Sequence, residues 1–373
     1  MAQTTLHQLS ELGQSVWLDY IDRDLLDSGK LKKLIGQGLR GMTSNPAIFE
    51  KAISNSKDYD EKILRLKESG KSTFEIYDEL TIRDIQDATD IFRPVFDETG
   101  KLDGYVSLEI NPQLANDTKA SIGEGKRLFK KVNRPNVMIK VPATDAGFLV
   151  IEELLADGIN VNVSLIFSLE QYVKTVDSYQ RGIQRALDRG KDAGVIRSVA
   201  SVFVSRVDSA VDKLIDDQLK QGGDKGLKDL KGKAAVANCR RIFEKSKEVF
   251  GSEHFLHLFD KGANIQRVLW GSTSTKNPEY SDVKYVSELI AKQTVNTIPS
   301  NTLEAFLEHG EVAEAFGGDS AKAQEIIDRL FQNGIDIKKI CIDQLDSGVD
   351  AFIKSFDTLL KNLETKAAQL CAK

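Results

Sequence analysis

Short apolar segments alternate along the chain with longer amphipathic ones. Eight short segments rich in apolar and β-branched residues are typical of strands: 16–21, 41–45, 104–110, 136–142, 159–167, 198–205, 267–272 and 294–299. Between them, apolar residues recur at helical spacing, as in 169–190 and 206–220. This alternation predicts an α/β fold with a parallel sheet, and eight units predict a closed (β/α)8 TIM barrel.

The fifth strand segment shows what the two faces of this sheet contain. Val161, Val163 and Leu165 alternate with Asn162 and Ser164, so one face is apolar and the other is polar. An open sheet covered by helices on both sides would carry nearly continuous apolar strands. A barrel with an apolar outer face and a polar mouth accounts better for the alternation.

The chain is longer than a bare barrel requires. It has 373 residues, whereas a barrel of this type needs about 250. We assign the surplus to extra N- and C-terminal helices and to an insertion after strand 6, at about 1–14, 336–371 and 220–260. No linker divides the sequence, so it predicts a single TIM-barrel domain over 1–373.

Composition and charge narrow the classes of partner. The net charge is −5, and acidic and basic residues are interspersed, which argues against binding to nucleic acid or to an anionic membrane. Three widely spaced cysteines, no secretory segment and no long apolar run predict a cytoplasmic protein that does not span a membrane. Four scattered histidines predict no metal site. The glycines of 36–41 precede a strand instead of following one, so we predict no dinucleotide cofactor.

Lys140 interrupts an apolar strand in the segment "VMIKVPATDAG" (137–147). It alternates with Ile139 and Val141, so it faces the barrel interior if those two residues face the helices. Its place near the carboxyl end of the fourth strand is where barrel enzymes hold their catalytic groups. A lysine that reaches water from a strand end, or that pairs with a carboxylate, remains the alternative.

Other polar side chains are expected at the same end of the barrel. Glu109 has the same inward position on the preceding strand, Asn162 and Ser164 lie on the following strand, Asp19 lies on the first strand, and Asn45 ends the second. An amine surrounded by carboxylates and amides suggests Schiff-base chemistry. The neutral amine attacks a ketone, and the resulting iminium withdraws electrons from the neighbouring carbons. Burial favours the neutral amine that this attack requires.

Five segments carry a resemblance to a known family. They are "GMTSNPAIF", "VSLEINP", "VMIKVPATDAG", "GINVNVSLIFS" and "SVASVFVSRVD". In this order, and on successive strands, they resemble the signature segments of transaldolases. The resemblance covers roughly residues 15 to 310, and the insertion after the sixth strand is similar to the long bacterial and plant-type branch.

The resemblance implies a class I Schiff-base aldolase on an α/β barrel, without cofactor. Such an enzyme reversibly transfers a dihydroxyacetone unit from sedoheptulose 7-phosphate to glyceraldehyde 3-phosphate, giving erythrose 4-phosphate and fructose 6-phosphate in the non-oxidative pentose phosphate pathway. The expected partners are therefore phosphorylated sugars, and the expected assembly is a monomer or a homodimer.

The resemblance also implies roles for individual residues. Lys140 matches the Schiff-base lysine, and Glu109 matches the acid/base that acts through a bound water. Asp19 matches the group that takes and returns the proton during carbon–carbon cleavage. Ser164 stands where the family usually has threonine, so the hydroxyl that positions a water is kept.

The remaining matches concern the substrate. Asn45 and Asn162 resemble the amides that hold the hydroxyls of the donor. Ser201, Phe203 and Arg206 match positions in the wall of the site and in the phosphate-binding region. Lys276 is the nearest match to a further phosphate-binding arginine, and a lysine can hold a phosphate only as a point charge.

Two alternative functions stay open on the sequence. One is an aldolase similar to fructose-6-phosphate aldolase, which releases free dihydroxyacetone; those relatives are shorter and commonly have tyrosine where this chain has Glu109. The other is a catalytically silent barrel that acts as a binding protein. A silent barrel is expected to lack the lysine or its carboxylates, and this chain keeps both.

Overall fold

A computed structural model describes residues 3–318 and 320–372 and contains a closed barrel of eight parallel strands. The strands are β1 Gln14–Asp19, β2 Gly41–Thr43, β3 Val106–Glu109, β4 Val137–Pro142, β5 Val161–Ile166, β6 Ser198–Phe203, β7 Arg267–Gly271 and β8 Thr294–Ile298. Each strand pairs with its neighbours in chain order, and β8 pairs with β1. The predicted TIM barrel is confirmed, and only the first strand is displaced, by two residues toward the N-terminus.

Helices surround this barrel. They are α1 Thr5–Leu12, α2 Arg23–Asp27, α3 Lys30–Gly36, α4 Pro46–Asn55, α5 Asp60–Glu68, α6 Thr73–Glu98, α7 Thr118–Val132, α8 Asp145–Ala156, α9 Leu169–Asp188, α10 Ser205–Lys220, α11 Ala234–Phe250, α12 Glu253–Phe259, α13 Lys284–Ser287, α14 Ser300–His309, α15 Ala321–Gln332 and α16 Ile337–Cys371. None of the helices in the described part of the chain combines the length and the apolar character that a membrane span needs.

The predicted additional helices take definite places around the barrel. In the N-terminal segment, α1 packs against β1 and α14, while residues 1 and 2 lie outside the described residues. The insertion after β6 contains a short 3-10 helix, Lys225–Leu230, followed by α11 and α12. In the C-terminal segment, α16 runs across the carboxyl end of the barrel and contacts α4, α10 and β5.

The predicted faces of the strands are also observed. Met138, Val199, Leu269 and Val295 form a buried cluster inside the barrel, separate from the larger core between strands and helices. Met138 and Lys140 lie two residues apart on β4, so both side chains point inward. Trp17 belongs to the same inner cluster.

A close approach between β1 and β2 explains one of the glycines in 36–41. Helix α3 ends at Gly36, and β2 begins at Gly41, as the sequence predicted. A Cβ atom at Gly41 would lie 2.7 Å from ring atoms of Trp17. The glycine is therefore needed for packing inside the barrel.

A buried ion pair fixes the amino end of the barrel. Arg267 Nη2 on β7 lies 2.9 Å from Asp103 Oδ1, and the two side chains are only 8% and 6% exposed. Asp103 also accepts hydrogen bonds from Ser15 Oγ at 2.7 Å and from Trp17 Nε1 at 3.2 Å. One carboxylate thus links β1, β7 and the loop before β3.

We expect Asp103→Ala to lower the free energy of unfolding by about 3–5 kcal/mol, because it leaves Arg267 buried without its carboxylate partner. Urea denaturation followed by circular dichroism measures this change. Asp97→Ala is the matched control, since Asp97 pairs with Arg93 on the surface, where the two side chains are 55% and 50% exposed. The control is expected to lose less than about 1 kcal/mol. Equal losses in the two variants would contradict the prediction.

Candidate active site

Lys140 lies between two polar residues of the neighbouring strands. On β3, Glu109 is directly opposite Lys140, and on β5, Asn162 is directly opposite it. Lys140 Nζ lies 3.5 Å from Glu109 Oε2 and donates a hydrogen bond to the Ser44 carbonyl oxygen at 3.2 Å. Both charged side chains are 5% exposed, so Lys140 does not reach bulk water. The sequence left open whether Lys140 pairs with a carboxylate. In the structure it pairs with Glu109 at the mouth of the barrel.

Glu109 holds its proton much more strongly than an exposed glutamate. Its pKa is raised to about 7, because burial outweighs the lowering by Lys140, and the nearby Asp19 adds a smaller rise. A carboxyl group that titrates near neutral pH can both donate and accept a proton under ordinary conditions.

Asp19 ends β1 and is held by a pair of threonines. Thr43 Oγ1 donates a hydrogen bond to Asp19 Oδ1 at 2.7 Å, and it lies 2.6 Å from Thr297 Oγ1. Burial raises the pKa of Asp19, and this effect outweighs the lowering by Lys140, the Thr43 hydrogen bond and Lys276. The carboxyl group of Asp19 is therefore the second one at this mouth that is well suited to accept a proton.

Asn162, on β5, is fixed by hydrogen bonds to serine side chains of β3 and β6. Its Nδ2 donates to Ser107 Oγ at 3.0 Å, and its Oδ1 accepts from Ser201 Oγ at 2.6 Å. One N–H of the amide is left over for a ligand. The structure thus brings Ser201 to the site as a partner of Asn162.

Ser164 lies at an irregular point of β5. The pairing register of β5 with β6 shifts between Val163 and Ile166, and Leu165 has a left-handed backbone with φ of 57°. Ser164 Oγ and Glu109 Oε2 are buried and have no hydrogen-bond partner among the described residues. Both atoms are available to a water or to a substrate hydroxyl.

Asn45 has a structural contact as well as a place at the mouth. It is the N-cap of α4, where its Oδ1 accepts a hydrogen bond from the Ile48 N–H at 3.0 Å. This contact engages the oxygen and leaves the amide nitrogen free to donate. Asn45 also lines, together with Asp19, a cavity of about 1050 Å³ beside the mouth.

Two cations near this cavity, Lys276 and Arg206, form no ion pair within the described residues. Lys276 lines the cavity, and its pKa is lowered by burial and then by the positive charges of Arg206 and Lys51, while Asp19 raises it. The Arg206 guanidinium lies over the Phe203 ring, 5.7 Å from its centre. Arg206 is therefore near Lys276, and Lys276 is near Asp19.

Several residues of this site were not identified from the sequence. Thr43 and Ser107 share the inward positions of their strands, so strand alternation could have included them. Lys51, on α4, also lines the cavity. Phe352 of α16 lies with its ring centre 5.7 Å from Lys140 Nζ. No local sequence signal connects Phe352 to a lysine more than two hundred positions earlier.

A metal centre is not observed in the described parts of the chain. Within 3–318 and 320–372, no three His, Cys, Asp or Glu side chains are grouped so as to hold a metal ion. The chemistry that the site offers is that of an amine, two carboxyl groups with raised pKa, amides and cations.

Comparison with known proteins shows the family of this chain. The Transaldolase/Fructose-6-phosphate aldolase family profile matches residues 16–363. The chain is 44% identical to "Transaldolase 2" of a Nostoc species, and the alignment covers 99% of each chain. It is 43% identical to the transaldolase of Trichodesmium erythraeum over 99% of each chain, and 44% identical to that of Saccharopolyspora erythraea over 98% of each. The predicted transaldolase is confirmed, its two alternatives are not favoured, and the chain belongs to the transaldolase/fructose-6-phosphate aldolase family.

Proposed function

We propose that Lys140 forms a Schiff base with the C2 carbonyl of a ketose phosphate. The chain then moves a dihydroxyacetone unit from sedoheptulose 7-phosphate to glyceraldehyde 3-phosphate. The observation that carries this proposal is a buried amine 3.5 Å from a carboxyl group whose pKa is about 7. Phosphorylated sugars are the substrates that the family implies.

Glu109 is the acid/base of imine formation in this proposal. The neutral Lys140 amine attacks C2, and a proton moves from nitrogen to oxygen to give a carbinolamine. The hydroxyl group then leaves as water after accepting a proton from Glu109, directly or through a water held by Ser164. Glu109 supplies this proton, so the step needs no external acid.

Asp19 is the base of carbon–carbon cleavage. It takes the proton of the C4 hydroxyl, the C3–C4 bond breaks, and the electron pair moves into the iminium to give an enamine. The aldose phosphate leaves, and an acceptor aldehyde takes its place. The enamine carbon attacks this aldehyde, and Asp19 returns the proton to the new alkoxide. Asn45 and Asn162 hold the hydroxyls of the three-carbon unit.

The cations outside this centre bind the phosphate of donor and acceptor. Arg206 offers a planar pair of N–H donors, and Lys276 offers a point charge. Because neither is neutralised by a carboxylate among the described residues, a phosphate can pair with both. Phe203 and Ser201 then form the wall along which the sugar chain lies.

Three further expectations belong to this proposal. The chain is a single domain over 1–373, since the additional helices α1, α11 and α16 all pack against elements of the barrel. It works in the cytoplasm as a monomer or a homodimer. Its cysteines, Cys239, Cys341 and Cys371, are free, which suits a reducing compartment.

Borohydride reduction in the presence of fructose 6-phosphate tests the proposal. We expect a three-carbon adduct on the peptide that contains Lys140, because the reduced Schiff base is a stable secondary amine. Mass spectrometry locates the adduct, and EDTA is expected to leave its yield unchanged. Lys140→Arg removes the adduct, whereas Lys174→Arg, at an exposed lysine that pairs with Asp145, retains it. An adduct on another lysine, or none, contradicts the assignment.

The pKa of Glu109 predicts how imine formation depends on pH. A pKa raised to about 7 keeps the carboxyl group protonated below pH 7, and the proton-donating form is lost as the pH rises above 7. The rate of adduct formation is therefore expected to fall above pH 7. Glu109→Gln is expected to slow it by about 10²–10⁴-fold and to remove this inflection. Glu288→Gln, at an exposed glutamate, is the control that keeps it. An unchanged inflection in Glu109→Gln refutes the assignment.

The proposed phosphate site predicts that variants of Arg206 and Lys276 lose affinity for a phosphorylated acceptor and keep it for an unphosphorylated one. Arg206→Met or Lys276→Met is expected to lower kcat/KM for erythrose 4-phosphate by about 10- to 150-fold, since one charge-assisted hydrogen bond is worth about 1.5–3 kcal/mol. The kcat/KM for unphosphorylated glyceraldehyde as acceptor is expected to change little. Steady-state kinetics with each acceptor measure the two kcat/KM values. The same loss with both acceptors argues against a phosphate contact.

A further inference from the structure

Helix α16 forms a roof over one side of the barrel mouth. From Val349 on, buried residues recur along it every three or four positions: Val349, Phe352, Phe356, Leu359, Leu363 and Ala367. This spacing places them on one face of the helix. The face contacts α10 and β5 near its beginning and α4 and α5 further along. It therefore spans the mouth from the β5–β6 side to the β2 side.

The roof lies very close to the barrel where it crosses β5. A Cβ atom at Gly348 would be 3.0 Å from Leu165 Cδ2 and 3.5 Å from Arg206 Nη1. Leu165 is the residue with the left-handed backbone at the irregular point of β5. The glycine on α16 and the irregular strand thus allow the helix to approach residues of the mouth directly.

The other end of the roof is fixed by side-chain contacts. The Phe356 ring meets the Tyr77 ring of α6 edge-on, with 5.2 Å between the ring centres. Asn362 Nδ2 donates a hydrogen bond to Glu50 Oε1 of α4 at 2.9 Å. The helix is held on both sides of Lys140, so its middle part cannot lift without breaking contacts at one end.

Phe352 is the residue that this helix brings to Lys140. It is 6% exposed, and its ring centre is 5.7 Å from Lys140 Nζ. An aromatic face at this distance attracts a cation, and both the ammonium and the protonated imine carry a positive charge at this nitrogen. The ring also occupies space through which water could otherwise reach the nitrogen and the carbon bound to it.

Water that reaches the carbon bound to Lys140 can hydrolyse the three-carbon intermediate before an acceptor arrives. After cleavage, the enamine carbon can take a proton to give the iminium of dihydroxyacetone. Water then adds to C2 and loses a proton, and the C2–N bond of the resulting carbinolamine breaks. The products are free dihydroxyacetone and free Lys140, and this hydrolysis takes up one water, which balances the water released when the imine formed. A transferase must keep this route slower than the arrival of an acceptor.

We propose that Phe352 shields the Lys140-bound three-carbon intermediate from water and thereby sets the ratio of transfer to release. The proposal rests on the role proposed above for Lys140. Phe352 is a positioning residue in this scheme, since it exchanges no proton or bond with the substrate. The β8–β1 side of the mouth, with Asp19, Lys276 and Pro299, adjoins the cavity of about 1050 Å³ and leaves room for the aldose to exchange.

Release and transfer can be measured in the same mixture. The full chain is incubated with fructose 6-phosphate and erythrose 4-phosphate, and free dihydroxyacetone and sedoheptulose 7-phosphate are quantified. Phe352→Ala keeps a good helix former in α16 and is expected to raise the ratio of release to transfer about tenfold. Phe352→Leu, which keeps an apolar side chain, is expected to stay nearer to the parent ratio. In the absence of acceptor, the borohydride-trappable intermediate is expected to decay about tenfold faster in Phe352→Ala.

Leu359→Ala is the matched control. Leu359 is buried on the same face of α16, two helical turns beyond Phe352, so its truncation loosens the helix without opening the space above Lys140. In Leu359→Ala, the ratio of release to transfer is expected to remain that of the parent chain. An unchanged ratio in Phe352→Ala, or an equal rise in Leu359→Ala, overturns the shielding role. If the parent chain itself yields no adduct on Lys140, the proposed function fails instead.

Discussion

The burial of Lys140 together with Glu109 is the constraint on which the site depends. Two ionisable groups removed from water cost several kcal/mol unless each finds partners. The structure supplies the Ser44 carbonyl for the amine and a 3.5 Å separation between the two charges. The carboxyl group keeps a pKa of about 7 because desolvation outweighs its attraction to the lysine. The same burial that destabilises the pair thus leaves Glu109 able to donate and accept a proton near neutral pH.

Strand alternation made this pair predictable. The position of Lys140 relative to Ile139 and Val141 fixes its direction once the strand is assigned. Parallel neighbours in register bring Glu109 and Asn162 directly opposite it. The eight strands and their order were also predictable, because consecutive β and α units form adjacent parallel strands. The sequence therefore contained the fold and the inner ring of polar residues in local patterns.

Contacts made through the backbone or across long sequence separations were not predictable in this way. The Ser44 carbonyl carries no residue-specific signal, since any residue at that position has one. Phe352 belongs to an amphipathic helix whose apolar face is compatible with packing on any part of the barrel. The left-handed backbone of Leu165 occurs at a leucine, a residue type that gives no reason to expect it. Of these features, the contact of Phe352 with Lys140 arises from how the last helix docks.

The docking of α16 gives the mouth two unlike halves, and a transfer reaction needs both. On the lysine side, the helix and Phe352 close the space around the nitrogen that, in the proposed mechanism, keeps the three-carbon unit while one aldose leaves and another arrives. On the β8–β1 side, the cavity beside Lys276 has the room that this exchange requires. A mouth open on both sides would expose the proposed iminium to water, and one closed on both sides would trap the first aldose. In this proposal, the position of one helix across half of the barrel separates retention of the intermediate from exchange of the aldoses.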